Sequence, residues 1–239
     1  MVVAALLTLV LIAPVPLHPA DEPTMQYILH VPPGDAPDDG WGVVFVLPGG
    51  DGSADFAPFV KNIAANAVPN DCLTVQLIAT PLNPGDNTVW PTEFLLPREP
   101  ERQAFTVEQH IAEARAAIAA EHALDDAREF VFGWSSGGPA CYALLLDEDL
   151  GIDGALIAMS VFYPGWHQPI DRVDGKALYL LHSPQDQVCR INLARNAERM
   201  LGDAGATVEF QTYNGGHGWH GDIFGNIAAG LSWLDEQAD

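Results

Sequence analysis

From residue 25 onward, short apolar runs alternate with stretches whose apolar residues recur at helical spacing, and this alternation restricts the fold more than any other feature. Gly42–Leu47 (Gly-Val-Val-Phe-Val-Leu) is continuously apolar, as a parallel strand buried on both faces must be. Leu73–Ala79 reads as another buried strand, and Tyr27–Val31, Phe130–Gly133, Gly154–Ser160, Lys176–His182 and Thr207–Tyr213 complete the set. Helices are expected over Phe56–Ala67, Thr106–Glu121, Pro139–Leu146, Ile191–Leu201 and Ile223–Leu234. In Thr106–Glu121, Val107, Ile111, Ala114 and Ile118 fall on one stripe. Strand–helix alternation over this length implies an α/β fold, a mostly parallel central sheet with helices on both faces. A chain of 239 residues needs only one core, so residues 25–239 are read as a single domain. Chemistry in such sheets gathers beyond the carboxyl ends of the strands, here just after Leu47, Gly133, His182 and Tyr213.

Reactive residue types stand at those places. Gly133-Trp134-Ser135-Ser136-Gly137 follows a strand, precedes a helix and matches G-x-S-x-G. A serine on so tight a turn needs glycine two residues to either side, where a side chain would collide. The turn lifts the Ser135 hydroxyl above the sheet edge, with the Ser136 N–H and the positive end of the next helix aimed at the same point. Ser136 lacks the flanking glycines and is read as an oxyanion donor only. After the last strand, Gly215-Gly216-His217-Gly218-Trp219-His220 offers a histidine in a loop able to approach the nucleophile closely. His217 is the candidate base and His220 its competitor, with pocket lining as the other reading of His220. Asp186, in His182-Ser183-Pro184-Gln185-Asp186 after the preceding strand, is placed to accept the Nδ1–H of that histidine. A helix-starting aspartate is the alternative reading.

Leu47-Pro48-Gly49-Gly50-Asp51-Gly52 follows the second strand, where a tetrahedral intermediate needs a second N–H donor beside that of Ser136. Gly50 is the first choice and Asp51 the next. The loop lacks the Gly-Lys-Ser/Thr ending of a phosphate-cradling P-loop. Trp90, Trp134, Trp166 and Trp219 are the candidate pocket residues, with core or surface aromatics as the other reading. Trp90 sits in the insert Pro81–Pro100 and Trp166 in the loop starting at Phe162, both expected to overhang the nucleophile.

At Leu47-Pro-Gly-Gly50, Gly133-Trp-Ser-Ser-Gly137, Asp186 with Val188, and Gly216-His-Gly-Trp219, the chain resembles the α/β-hydrolase superfamily. Within it, it is similar to small phospholipase/carboxylesterase-type and polyhydroxybutyrate-depolymerase-like esterases over nearly all of residues 27–236. The resemblance implies a sheet of about eight strands, a Ser–His–Asp triad in the chain order Ser135, Asp186, His217, and no metal or other cofactor. It implies cleavage of small-molecule carboxylic esters through an acyl-enzyme. A serine peptidase of the same fold and a non-catalytic binding protein stay open. Pro48 stands where many relatives carry histidine, and the short segment between Ser160 and Lys176 leaves room only for a minimal lid.

Charge narrows the partners. Lys and Arg total 10 against 32 Asp and Glu, a formal net charge of −22, which repels nucleic-acid backbones and anionic membrane surfaces. Only Lys61 and Lys176 are lysines, which fits a salty habitat. The three cysteines, Cys72, Cys141 and Cys189, show no paired spacing and sit in or beside apolar segments, as buried free thiols do. Residues 1–24 begin with an apolar run of signal-peptide length, short for a membrane span. No Lys or Arg precedes the run, and Ala20 offers no clean A-x-A site. Export to the periplasm or outside is expected. An uncleaved anchor, or an N-terminal extension ahead of a cytoplasmic protein starting at Met25, stays open. The oligomeric state is not encoded in any pattern here.

Overall fold

The computed structural model describes residues 8–10 (backbone only), 25–80, 88–95, 104–167 and 169–238. Eight strands form one sheet: β1 (Thr8–Val10), β2 (Gln26–Val31), β3 (Trp41–Leu47), β4 (Cys72–Ile78), β5 (Leu124–Trp134), β6 (Gly154–Ala158), β7 (Ala177–His182) and β8 (Thr207–Thr212). Their order across the sheet is β1-β2-β4-β3-β5-β6-β7-β8. The pairs β1·β2 and β2·β4 are antiparallel, and the run from β4 to β8 is parallel. Parallel pairing brings the loops after β3, β5, β6, β7 and β8 to one edge. The chain runs from β3 outward to β4 and then returns to β5 on the other side of β3. The crevice between the carboxyl ends of β3 and β5 is therefore the topological switch point of the sheet.

Among the described residues five helices cover the faces: α1 (Ala57–Asn66), α2 (Val107–Ala119), α3 (Gly138–Leu145), α4 (Ile191–Asp203) and α5 (Ile223–Asp235). Alternation along the buried strands makes two cores. Val43, Phe45 and Leu47 pack with Ile111 and Ile118 of α2, Leu144 of α3 and Leu201 of α4. Val44 and Val46 pack with Val60 and Ile63 of α1 and Ile227, Leu231 and Leu234 of α5. Successive strand residues point to opposite faces, so one continuous apolar run serves both cores.

Most boundaries shift by one or two residues, and two elements differ by more than that from the sequence reading. β5 starts at Leu124, six residues before the expected Phe130, because its first half (Leu124–Arg128) carries Asp125, Asp126 and Arg128 and lies outside the buried part of the sheet. The segment Thr8–Val10, within the stretch read as a leader, pairs with β2 through Thr8–Val31, Leu9–His30 and Val10–Leu29. Between β6 and β7 the described residues hold two single 3-10 turns, Pro164–Trp166 and Ile170–Val173, and no α-helix. No helix among the described residues is long and apolar enough to cross a membrane.

Candidate active site

Ser135 lies on the first residue after β5 with φ 52, in the left-handed region that a non-glycine residue enters only under constraint. The constraint is close packing. A Cβ on Gly137 would strike the Leu47 carbonyl oxygen of β3, and one on Gly133 would lie 2.5 Å from the Cys141 sulfur of α3. The Ser160 hydroxyl, buried at the end of β6, donates to the Ser135 carbonyl oxygen at 2.6 Å and pins the turn from the other side. Sequence reasoning did not single out Ser160; its only signal was its place just past a strand end.

The three predicted side chains meet. Ser135 Oγ lies 3.0 Å from His217 Nε2, and His217 Nδ1 lies 2.8 Å from Asp186 Oδ2. Asp186 is buried without a lysine or arginine partner among the described residues. Its other oxygen accepts from the Val188 and Cys189 N–H groups, both at 2.8 Å. His182, at the end of β7, donates from Nε2 to the Cys189 carbonyl at 2.7 Å and sits 3.6 Å from Asp186 Oδ2. Burial holds the His182 pKa below its ordinary value, so a neutral imidazole faces the carboxylate. Burial first, and Asp186 second, push the Cys189 thiol up to about 11; the same two causes, with Cys189 third, raise Tyr213 to about 12.

The loops that carry the acid and the base are tied together. Gln185 Oε1 accepts from the Gly215 N–H at 2.8 Å, and the Ser183 hydroxyl donates to the Gly215 carbonyl. The Tyr213 hydroxyl donates to the Gly218 carbonyl at 2.9 Å, closing the loop around His217. His220 stacks beside Tyr213, with ring centroids 6.4 Å apart, and makes no bond to Ser135.

The oxyanion loop leans on the nucleophile turn. The Ser136 hydroxyl donates to the Gly50 carbonyl at 2.8 Å, and the Gly52 N–H donates to the Gly49 carbonyl at 3.1 Å. In a trans peptide the C=O and the following N–H point opposite ways. Turning the Gly50 carbonyl toward Ser136 therefore turns the Asp51 N–H away from it. The Gly50 N–H has no acceptor among the described residues, which favours Gly50 over Asp51 as the second donor. Pro48 accepts from the Trp90 indole N–H at 3.0 Å, so the cavity wall props the same loop.

A cavity of about 510 Å³ opens at Ser135, lined by Thr88, Val89, Trp90, Leu95, Ser136, Pro139, Val161, Trp166 and Cys189. Of the four predicted pocket residues, Trp90 and Trp166 line it. Trp134 and Trp219 do not, a correction to the sequence reading. They lie behind the nucleophile turn in an aromatic cluster with Phe59 and Phe132, Trp134 and Trp219 centroids 5.7 Å apart. Trp134 precedes Ser135 in a strand, so its side chain points to the face opposite that of the site. Phe162 likewise sits in the core rather than over the nucleophile. The parts of the Pro81–Pro100 insert at 81–87 and 96–100 lie outside the described residues.

Asp186, Cys189 and His217 bring three potential metal-ligand atoms within 4.8 Å of one another. The Asp186–His217 hydrogen bond already uses two of these groups, and a thiol with a pKa near 11 keeps its proton at neutral pH. The set suits proton transfer better than a cation. Cys72, Cys141 and Cys189 are all free and buried.

The sequence matches no protein-family profile and no curated protein. Solved structures do match. A Bacillus cereus carboxylesterase aligns with TM-score 0.64 and 17% identity, over 89% of this chain and 94% of that one. MGS-M1, an α/β-hydrolase enzyme from a Medee basin deep-sea metagenome library, aligns with TM-score 0.65 and 16% identity over 98% of each chain. A Rhizomucor miehei esterase structure aligns with TM-score 0.66 and 14% identity, over 92% of this chain and 82% of that one. With the strand order above, these likenesses show that the chain has the α/β-hydrolase fold.

Proposed function

We propose that this α/β-hydrolase-fold chain is a serine hydrolase that cleaves carboxylic esters of small molecules through an acyl-enzyme on Ser135. The observation that carries the reading is the unbroken chain of contacts Ser135 Oγ–His217 Nε2 at 3.0 Å and His217 Nδ1–Asp186 Oδ2 at 2.8 Å, set at the mouth of a cavity. Ser135 Oγ attacks the ester carbonyl carbon while its proton passes to His217 Nε2. Asp186 keeps Nδ1 protonated and offsets the imidazolium charge. The N–H groups of Ser136 and Gly50 receive the oxyanion. The tetrahedral adduct collapses, the His217 proton leaves with the alcohol, and water repeats the sequence to release the acid and free Ser135.

The described lining supports esters over peptides. It holds no charged side chain, whereas a peptidase that reads a chain terminus needs one to pair with the terminal amine or carboxylate. A purely binding role would leave the strained serine and its two aligned partners without a use. A fluorophosphonate probe is expected to label Ser135 and to be blocked in Ser135→Ala. That variant should lose on the order of 10⁶-fold in kcat on p-nitrophenyl esters. Most of the activity surviving in Ser135→Ala would overturn the assignment, and faster turnover of aminoacyl amides than of esters would favour the peptidase. Export is part of the proposal, supported by the apolar run ahead of Pro14. N-terminal sequencing of the native protein tests it: a chain starting between residues 14 and 25 is expected, and one retaining Met1 counts against it.

A further inference from the structure

Among the described residues, the large apolar side chains left in water are Phe94, Tyr163 and Val188, exposed by 51%, 40% and 70%. Single exposed apolar residues are ordinary and need no explanation when scattered. Each of these three adjoins a residue of the cavity wall. Phe94 precedes Leu95, and Val188 precedes Cys189, both lining the cavity at Ser135. The Tyr163 ring packs on that of Trp166, another lining residue, with centroids 4.5 Å apart. They come from three separate connections, β4–α2, β6–β7 and β7–α4, which parallel pairing brings to the same sheet edge. Exposed apolar side chains thus stand next to the cavity of about 510 Å³ on three of its connections.

We propose that Phe94, Tyr163 and Val188 form an apolar rim that receives the tail of a single ester molecule too long for the cavity, so that the substrates are uncharged esters with extended apolar chains. The proposal rests on the hydrolase reading of Ser135 and names the substrate class of that site. Proximity to the cavity identifies the occupant, because the three residues adjoin its wall at Leu95, Trp166 and Cys189. Charge sharpens the choice. The lining carries no cation, and a molecule of net charge −22 disfavours an anionic tail or an anionic lipid surface. The same field assists release of the carboxylate product.

The test is a series of p-nitrophenyl esters from acetate to laurate, below their aggregation concentrations, with the full chain and with Phe94→Ser, Tyr163→Ser and Val188→Ser. These positions are exposed, so the variants are expected to fold. kcat/KM should rise with chain length, and each variant should lower the laurate-to-acetate ratio about three- to tenfold, less than full burial of a large apolar side chain would give because the rim is half in water. A ratio below one in the parent chain, or one that no variant moves, overturns the proposal. Equilibrium binding of Nile red, an uncharged apolar dye, to Ser135→Ala separates the two readings. Weaker dye binding in the rim variants, with no ester turned over by the parent, would sink the hydrolase reading and keep the rim. Dye binding indifferent to the variants, or a dimer in sedimentation that the three substitutions dissociate, would sink the rim as a tail site.

Discussion

Asp186 shows how much of a catalytic set lies in the contacts around it. Its carboxylate has no cationic partner among the described residues and is held by two backbone N–H groups and His217 Nδ1. Asp186→Asn keeps the shape but presents an amide that can stabilise the wrong imidazole tautomer. A fall of about 10⁴-fold in kcat is expected, with the fold unchanged by circular dichroism. A fall below tenfold would mean that Asp186 does not orient the base. In the proposed reaction Ser136 acts twice, through its N–H and through the hydroxyl bond to Gly50. Removing that hydrogen bond in Ser136→Ala should cost about 2- to 10-fold in kcat with little change in KM, and Ser136→Thr should restore most of it. Equal losses in both variants would show that the hydroxyl does not position the loop.

At the level of elements, the cavity wall is built from connections rather than from strands. The 88–95 segment is fastened to the start of α2 by the Val107 N–H to Pro91 carbonyl bond, 2.8 Å, and by the Glu93 N–H to Glu108 carboxylate bond, 3.1 Å. Helix α2 starts with a reciprocal capping box, the Thr106 hydroxyl accepting from the Gln109 N–H and the Gln109 side chain from the Thr106 N–H. Thr106→Ala should therefore destabilise the protein by about 1 kcal/mol, read from urea unfolding, and loosen the Trp90 wall with it. An unchanged urea midpoint would mean that the helix start is held by packing alone. The helix start at Thr106 was read from the sequence, although the box itself was not named. The Pro91 and Glu93 attachments were not legible, since they join residues about 15 positions apart through a turn with no repeating pattern.

Over the whole molecule, charge and buried histidines set the response to conditions. His167 is buried against Phe162 and Tyr142, and its ring nitrogens have no partner among the described residues. Burial lowers its pKa from 6.5 to about 4, and burial lowers that of His110 equally. A folded pKa below the unfolded one means that the unfolded chain binds protons first as the pH falls. This contribution to stability is thus whole above pH 6.5 and is lost progressively between 6.5 and 4. Glu108 and Glu129, whose carboxyl pKa values burial raises, work the opposite way at the acid end. The difference between parent and His167→Phe isolates one histidine: from pH 6.5 to 5.0 the variant should be spared about 2 kcal/mol of acid destabilisation. Parallel stability curves for the two proteins would refute this. With a net charge of −22, added salt should raise the urea midpoint, since about 1 M salt screens charges beyond ~3 Å. A midpoint indifferent to salt would remove the support for a salty habitat.

The parallel sheet and its helices were legible from residue order because buried strands must be apolar throughout and helices must show one apolar stripe, whatever their neighbours. The Gly133–Gly137 turn was legible because only glycine tolerates those contacts, and the positions of Asp186 and His217 because they follow strands. What the tertiary structure alone decided is which side chains share a space. Trp134 went to the core behind the serine, with Trp219 packed half-buried against it, while Trp90 and Trp166 reached the cavity, a choice set by strand phase and loop path. The Ser160, His182 and Gln185 contacts arise from strand ends and loops brought side by side by sheet order. Distances between residues far apart in the chain depend on how the sheet is wound, and no local pattern of residues records them.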